Sequence, residues 1–286
     1  MAAPDRAGAV IVQPAVPEDV PWPAHTVWWE RFTAEERLSW NLLAGVAVNE
    51  LEVVGEMGII RHGMRGAMLS TAASRDPALR TALRRLHADE QRHARWFMAW
   101  NRRACPWLHR PGRPLALLAA PAPLRAAGRL LASLPGAWIG GLWLALALEE
   151  WSCAFADRLV SAPVGSLGPR DPTYLGLHLA HRREELAHVA FDEDLLAAAR
   201  RDVLPGLRRV MPVAVRGVLE QAMRPRRAVP AATAAFAARH PRWAGTAAAI
   251  AADCRQVADS AAYWSSPGVR TSHERLELAL HRWSHG

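Results

Sequence analysis

The chain has 286 residues, of which 51% are hydrophobic, and a formal net charge of +8. An apolar fraction of this size excludes wholesale disorder and allows a sizeable core, and the abundance of alanine and leucine favours helix. The positive charge comes from arginines that are scattered along the chain, often in pairs, without a long basic tract. We therefore interpret the arginines as solvated helix faces and expect no specific binding of nucleic acid.

Cysteine usage and apolar segments indicate a cytoplasmic protein without a membrane partner. The three cysteines are widely spaced and form no CxxC pair, which argues against a disulfide framework and a thiolate zinc site. The first residues lack the charged and then apolar pattern of a secretory signal. The most apolar stretch, from Leu134 to Leu148, is interrupted by proline and glycine and is too short to cross a membrane, so it predicts a buried helix.

The first part of the chain divides into an arm and a long helix. Residues 1–32 are rich in proline and aromatic side chains and are predicted to form an extended arm over the body. Thr33 is followed three residues later by Glu36, which is the pattern of a capping box. A long helical pattern then runs from Ala34 to about Ala72.

Three further long helices follow. Asp76-Pro77 predicts a helix start with an aspartate N-cap, and the helical pattern continues to about Arg103. Residues 105–123 contain five prolines and are predicted to be mostly loop. A third helix is predicted over about 137–160, and Asp171-Pro172 begins a fourth that continues to about Arg201.

The order of these elements predicts an all-α protein built on a ferritin-like four-helix bundle. Two long antiparallel helix pairs joined by one long connection are the layout of such a bundle. Residues 33–201 would form the bundle. Residues 202–286, which prolines divide into short pieces, would add C-terminal helices that pack on it within the same domain.

Two helices carry a metal-binding motif. A two-metal site in a bundle takes a carboxylate from each of two helices and a Glu-x-x-His pair from each of the other two. Glu90 and His93 provide this pair on the second helix, and Glu185 and His188 provide it on the fourth. His181 precedes Glu185 by four residues, so at about 100° per residue it lies within the same sector of about 60° as Glu185 and His188.

The first helix offers three acids, Glu50, Glu52 and Glu56. The ions must lie level on both arms of a helical hairpin. Glu90 lies about fourteen residues after the connection between the first two helices, which ends at Asp76, and Glu56 lies about seventeen residues before it. Glu52 lies one helical turn further from this connection. The spacing therefore favours Glu56 as the ligand from this helix.

The third helix offers Glu149 and Glu150 at the end of an apolar run. Arg158, nine residues after Glu149, marks a solvent side about 180° away, which favours Glu149 and leaves Glu150 as the alternative. A single Glu-x-x-His or an acidic pair is usually part of a solvated helix face. The order acid, Glu-x-x-His, acid, Glu-x-x-His on successive helices instead predicts a two-metal site, with oxygen and nitrogen donors that suit iron or manganese.

Several segments resemble the ferritin-like di-iron N-oxygenases, typified by p-aminobenzoate N-oxygenase. The segments are FTAEERLSWN, DEQRHARWF, LEEWSCAFADRL and HRREELAHVAF, and the resemblance covers roughly Phe32 to Leu196. Its most specific feature is the histidine four residues before the last Glu-x-x-His, which in that family is a third histidine ligand. The resemblance implies as metal ligands Glu56, Glu90, His93, Glu149 or Glu150, His181, Glu185 and His188.

The resemblance also implies a chemistry. The expected enzyme is a homodimeric di-iron monooxygenase that uses dioxygen as co-substrate and an external electron donor that the sequence does not identify. The expected substrate is a small molecule, most simply an aryl amine that is oxidised through the hydroxylamine and nitroso levels to the nitro compound. Aromatic residues on the core helices, among them Trp96 and Phe97, would line an aryl pocket or simply pack in the core.

The C-terminal third matches nothing in that family, so the substrate is open. The alternatives are a di-iron oxidase or hydroxylase that acts on another metabolite, and a non-catalytic helical metal-binding protein.

Overall fold

The structure is a computed structural model that describes residues 12–68, 75–109, 115–118, 137–199 and 228–264, with the isolated positions 213 and 217. Within these ranges the regular structure is helical, apart from one isolated bridge between Gly165 and Gly168. The prediction of an all-α protein is therefore confirmed.

The first long helix begins as predicted and is then interrupted. Helix α1 (Ala34–Val54) starts at a complete capping box, in which Thr33 N–H donates to Glu36 Oε2 at 2.8 Å and Glu36 N–H donates to Thr33 Oγ1 at 3.3 Å. The predicted segment is helical throughout its described part, to Met68, but a π-helical turn (Gly55–Ile60) separates α1 from α2 (Arg61–Met68). Residues 69–72 lie outside the described residues. The wider π turn lies at a close helix contact: a Cβ on Gly55 would stand 3.0 Å from Leu148 Cδ1.

Both Asp-Pro helix starts are confirmed. Helix α3 (Pro77–Ala104) is capped by Asp76, whose Oδ1 accepts hydrogen bonds from the N–H groups of Ala78 and Leu79. Helix α4 comprises Ala137–Ser161, and α5 comprises Pro172–Ala199. Asp171 Oδ1 accepts a hydrogen bond of 2.7 Å from Tyr174 N–H at the start of α5. The described parts of the predicted loop, residues 105–109 and 115–118, contain no helix, and the rest of that loop lies outside the described residues.

The long helices pack side by side as a helical bundle. Helix α1 packs on α3, α4 packs on both α2 and α5, and the π turn contacts α3 and α4. Glycines allow α2 and α4 to approach closely, since a Cβ on Gly141 would lie 2.9 Å from Gly63 Cα. The π turn thus lies in the interior between neighbouring helices.

Helix α4 is the one described helix whose length and composition would suffice to cross a membrane, with a mean hydropathy of 1.2. It runs through Glu149 and Glu150 to Ser161, beyond the apolar stretch that the sequence marks. However, 72% of the most apolar 18-residue stretch of this helix is buried inside the protein, as expected of a core helix. The prediction of a buried helix is confirmed.

Further helices cover one end of the bundle. Helix α6 (Ala228–Arg239) packs on α1, and α7 (Ala247–Asp259) packs on a 3-10 turn near the N-terminus (Trp22–His25); the short α8 comprises Ala261–Trp264. Asn41 on α1 fastens the N-terminal segment, because its Oδ1 accepts hydrogen bonds from the N–H groups of Ala15 and Val16. Parts of the predicted arm and of the predicted C-terminal helices, residues 1–11, 202–227 and 265–286 apart from positions 213 and 217, lie outside the described residues.

Glu36 ties the C-terminal part to the start of α1. Besides closing the capping box, its carboxylate accepts hydrogen bonds from Arg242 Nε at 2.6 Å and from Trp243 Nε1 at 2.7 Å. Burial alone would raise the pKa of Glu36, but hydrogen bonds from Arg242, Thr33 and Trp243 lower it from 4.5 to about 2.

Replacing Glu36 should reveal this contact as a pH-dependent loss of stability. A carboxylate whose pKa is lowered by folding stabilises the fold when the pH is above its pKa in the unfolded chain, here 4.5. That contribution is lost as the pH falls towards the folded-state pKa of about 2. We expect Glu36→Gln to lower the free energy of unfolding by about 1–2 kcal/mol at pH 7, and the difference from wild type to shrink between pH 4.5 and pH 2. Urea unfolding across this range measures the effect. Glu30→Gln, at an exposed carboxylate, is the control and should change little; a pH-independent loss in Glu36→Gln would contradict the assignment.

Candidate metal centre

Buried acids and histidines from three helical segments meet in the interior of the bundle. Each of them is at most 8% exposed. They are Glu56 from the π turn, Glu90 and His93 from α3, and His181, Glu185 and His188 from α5.

The first group of converging ligand atoms comprises Glu56, His93, His181 and Glu185, which each offer one atom within 4.8 Å of the others. His181 Nε2 lies 2.7 Å from Glu185 Oε1 and 3.1 Å from Glu56 Oε1. His93 Nδ1 lies 3.0 Å from the same oxygen of Glu185. One carboxylate oxygen of Glu185 therefore belongs to this group.

The second group comprises Glu90, His93, Glu185 and His188. His188 Nδ1 lies 2.9 Å from Glu90 Oε1 and 3.2 Å from Glu185 Oε2. The two oxygens of Glu185 thus face different groups, which is the arrangement that a carboxylate needs to bridge two cations.

Neighbouring side chains fix which nitrogen of each imidazole faces the carboxylates. Nε2–H of His93 donates to Glu184 Oε2 at 2.8 Å, and Arg92 donates to the same oxygen, so Nδ1 of His93 faces the interior. Nδ1 of His181 lies 2.9 Å from Ser152 Oγ, which leaves Nε2 for the cluster. Such outer hydrogen bonds orient imidazole ligands in metal sites. The sequence does not reveal this role of Glu184, because the contact with His93 connects two different helices.

The structure distinguishes the two acids of α4. Glu149 is 2% exposed and lines a small cavity at the centre of the cluster, whereas Glu150 is only half-buried and does not line it. Glu149 lies beside the two converging groups and is not part of either. Of the two residues that the sequence left open, Glu149 is the one directed towards the cluster.

The acids of the first helical segment have different surroundings. Glu56 joins the first group, while Glu52 is buried and lines the same cavity. Glu50 instead accepts hydrogen bonds from three consecutive backbone N–H groups, those of residues 116–118, and so anchors the connection between α3 and α4. Sequence reasoning also missed Asp192, which is buried on α5; its signal is a spacing of four residues from His188.

The unpartnered atoms of the cluster test whether metal ions fit there. Both carboxylate oxygens of Glu56, Glu90 and Glu149 are buried without a hydrogen bond of normal geometry, as are Nδ1 of His93 and Nε2 of His181, although imidazole nitrogens lie close to Glu56 and Glu90. Leaving ionised groups buried and unpaired costs several kcal/mol each, so the cluster requires bound cations or protons. Carboxylate oxygens and imidazole nitrogens suit divalent ions such as iron and manganese, and the residues therefore fit a metal centre.

The electrostatics of the metal-free cluster agree with this requirement. Burial, followed by the charges of Glu90 and Glu185, raises the pKa of Glu56 well above its ordinary value. Burial opposes ionisation of Glu185 as well, but the adjacent His181, His188 and His93 hold its pKa well below the ordinary value. Glu185 is thus the acid of the cluster that is most readily ionised before any ion binds.

The cavity between these groups is about the size of one water molecule. Besides the carboxylates and His181, its wall includes Ile60 and Leu148. The cavity has room for small ions and excludes a larger ligand in this conformation.

Comparison with known proteins adds no assignment. No protein-family model matches the chain, and no curated protein matches it.

Glu184 should influence metal binding without contacting the ions. Removing its charge in Glu184→Gln weakens the hydrogen bond that orients His93, so we expect metal affinity to fall by about 10–100-fold. Titration with Co²⁺, followed by visible absorbance, measures the affinity. Asp194→Asn removes an exposed carboxylate on the same helix and should leave affinity unchanged. An unchanged affinity in Glu184→Gln would contradict the orienting role.

Metal ions should stabilise the whole fold, because they neutralise acids that otherwise lie buried together. A cation at 100 times its dissociation constant adds about 2.7 kcal/mol to the free energy of unfolding. Thermal unfolding with Mn²⁺ and with chelator present measures the difference, and Ca²⁺, which prefers more oxygen ligands, should stabilise less. Equal melting temperatures with Mn²⁺ and with chelator would show that the cluster does not hold cations.

Proposed function

We propose that the protein is a non-haem di-iron oxygenase that oxidises a small organic substrate, most simply the nitrogen of an aryl amine. The observation that carries the proposal is the placement of Glu185 between two groups of buried acids and histidines. The sequence resemblance to di-iron N-oxygenases supports the reaction type and a ferritin-like topology for the bundle.

The ligands divide between two ions. Glu56 and His181 would hold one ion, Glu90 and His188 would hold the other, and Glu185 would bridge them. His93, which belongs to both groups, and Glu149, which lines the cavity, complete the set. Iron, when bound at such a site, supplies the electrons that reduce dioxygen; manganese is compatible with the same donors.

The surrounding residues orient the ligands and exclude water. Glu184 and Ser152 hold the rings of His93 and His181 with one nitrogen directed inwards. Ile60 and Leu148 close the cavity with apolar surface. A dry, pre-arranged site of this kind protects reactive oxygen species from side reactions with water.

An aryl substrate would approach along the side of the cluster that Phe97 occupies. The central cavity is too small for an aromatic ring, but the Phe97 ring lies 4.9 Å from the His181 ring. Phe97 belongs to a small apolar cluster that includes the partly buried Met57 and Met98. Methionine side chains repack readily, so this cluster can open for a small planar amine.

The proposal extends to the oligomeric state, the cellular compartment and the source of electrons. The enzyme would act as a homodimer in a reducing cytoplasm and take electrons from an external donor. All three cysteines are free and buried, which is consistent with a reducing compartment.

The size of the cavity favours a second candidate, a helical protein that binds metal without catalysis. Both candidates require the same ligands, and they differ in turnover. A metal-loaded protein that consumes no dioxygen with any reductant and amine would support the second candidate.

The test of the first candidate is iron loading followed by turnover. Wild-type protein reconstituted anaerobically with Fe²⁺ should hold about two irons per chain and oxidise an aryl amine such as p-aminobenzoate with dioxygen and reductant or with peroxide. His181→Ala should reduce iron affinity by about 10–100-fold and abolish product formation. His25→Ala, which alters a histidine in the N-terminal 3-10 turn, is the control. Wild-type protein that holds two irons and forms no product would refute the oxygenase assignment.

A further inference from the structure

Asp192 lies on the same face of α5 as the three proposed ligands of that helix. The positions 181, 185, 188 and 192 are separated by four, three and four residues. At about 100° per residue, Asp192 falls in the middle of the sector of about 60° that the other three occupy. It stands about 6 Å along the helix axis beyond His188.

Asp192 has none of the partners that a structural carboxylate has. Its side chain is 0% exposed, and neither carboxylate oxygen has a hydrogen-bond partner. Two buried acids with a structural role, Glu50 and Glu36, are by contrast well supplied with donors: Glu50 accepts three backbone N–H groups, and Glu36 accepts bonds from Arg242 and Trp243. A buried carboxylate without donors is stable only with a proton or a cation.

The neighbours of Asp192 are the acids of the second metal group. Asp192 lies one helical turn beyond His188, and the side chains whose charges act on its carboxyl group are those of Glu90, His188 and Glu185. Across the interface between α4 and α5, Glu149 is also buried without partners, and it lines the same cavity as Glu90 and Glu185. Two unpartnered acids from adjacent helices therefore stand next to the group that contains Glu90 and His188.

We infer that Asp192 is a further carboxylate of the metal centre and that, with Glu149, it serves the ion held by Glu90 and His188. The inference rests on the proposed two-ion centre and adds a residue that the Glu-x-x-His pattern does not include. It also explains the charge distribution, because the second ion otherwise has only Glu90 and a share of Glu185 to balance two positive charges. Asp192 and Glu149 supply the missing negative charge on that side.

Anaerobic titration with Co²⁺ tests the inference in Asp192→Asn, which keeps the shape of the side chain and removes its charge. We expect the wild-type chain to bind two Co²⁺ ions. In Asp192→Asn the affinity for the first ion should be unchanged, and the affinity for the second ion should be about 10–100-fold weaker. Chemical unfolding of the metal-free proteins is the second readout. Because Asp192 has no hydrogen-bond donor to lose, metal-free Asp192→Asn should be about as stable as wild type, whereas loss of a structural contact would destabilise it. Asp194→Asn, exposed on the same helix, is the matched control.

The outcomes separate this inference from the proposed function. Two Co²⁺ bound with wild-type affinity in Asp192→Asn would overturn the role of Asp192 alone. Wild-type protein that takes up no Co²⁺ would overturn the two-ion centre and the role of Asp192 together. If Asp192→Asn does not fold, Asp192→Glu decides: an altered second affinity or Co²⁺ spectrum supports the inference, and unchanged values overturn it.

Discussion

Burial of negative charge is the constraint on which the rest of this structure depends. Six carboxylates, those of Glu52, Glu56, Glu90, Glu149, Glu185 and Asp192, are buried in and around the same interior region, with few donors among the surrounding side chains. Six like charges in a region of low dielectric would force the helices apart. Cations, or protons in their absence, are therefore part of what holds the bundle together.

Buried polar contacts outside the cluster connect the helices that surround it. Asn49 Nδ2 donates to Asn101 at 2.8 Å, and its oxygen lies 3.0 Å from His178 Nε2, which joins α1, α3 and α5 through one buried network. Asp76 and Asp171 satisfy the N–H groups at the starts of α3 and α5. These contacts hold together the helices that carry the buried acids.

The arrangement around Glu185 relates this constraint to function. Three histidines from two helices surround one carboxylate and favour its ionised form, so the bridging position is prepared before ions bind. The π turn adds Glu56 to the group around His181, and Glu149 and Asp192 are further buried acids on the adjacent helices α4 and α5. Acids and imidazoles around one shared carboxylate suit ions such as iron, and the sequence resemblance to di-iron N-oxygenases is the basis for proposing oxygen chemistry.

The sequence by itself determined the helical class, the capping of α1, α3 and α5, and most of the acids and histidines that meet as a candidate metal site, because these features depend on local hydrogen bonds and on residue spacing within one helix. It also favoured Glu149 over Glu150 through helical periodicity. Only the tertiary structure decided the π turn at Gly55–Ile60, the contact of Glu184 with His93 and the use of Glu50 by the loop. Each of these depends on how closely two segments approach each other. That distance is set by the packing of whole helices. The spacing of residues within one helix gives no information about it.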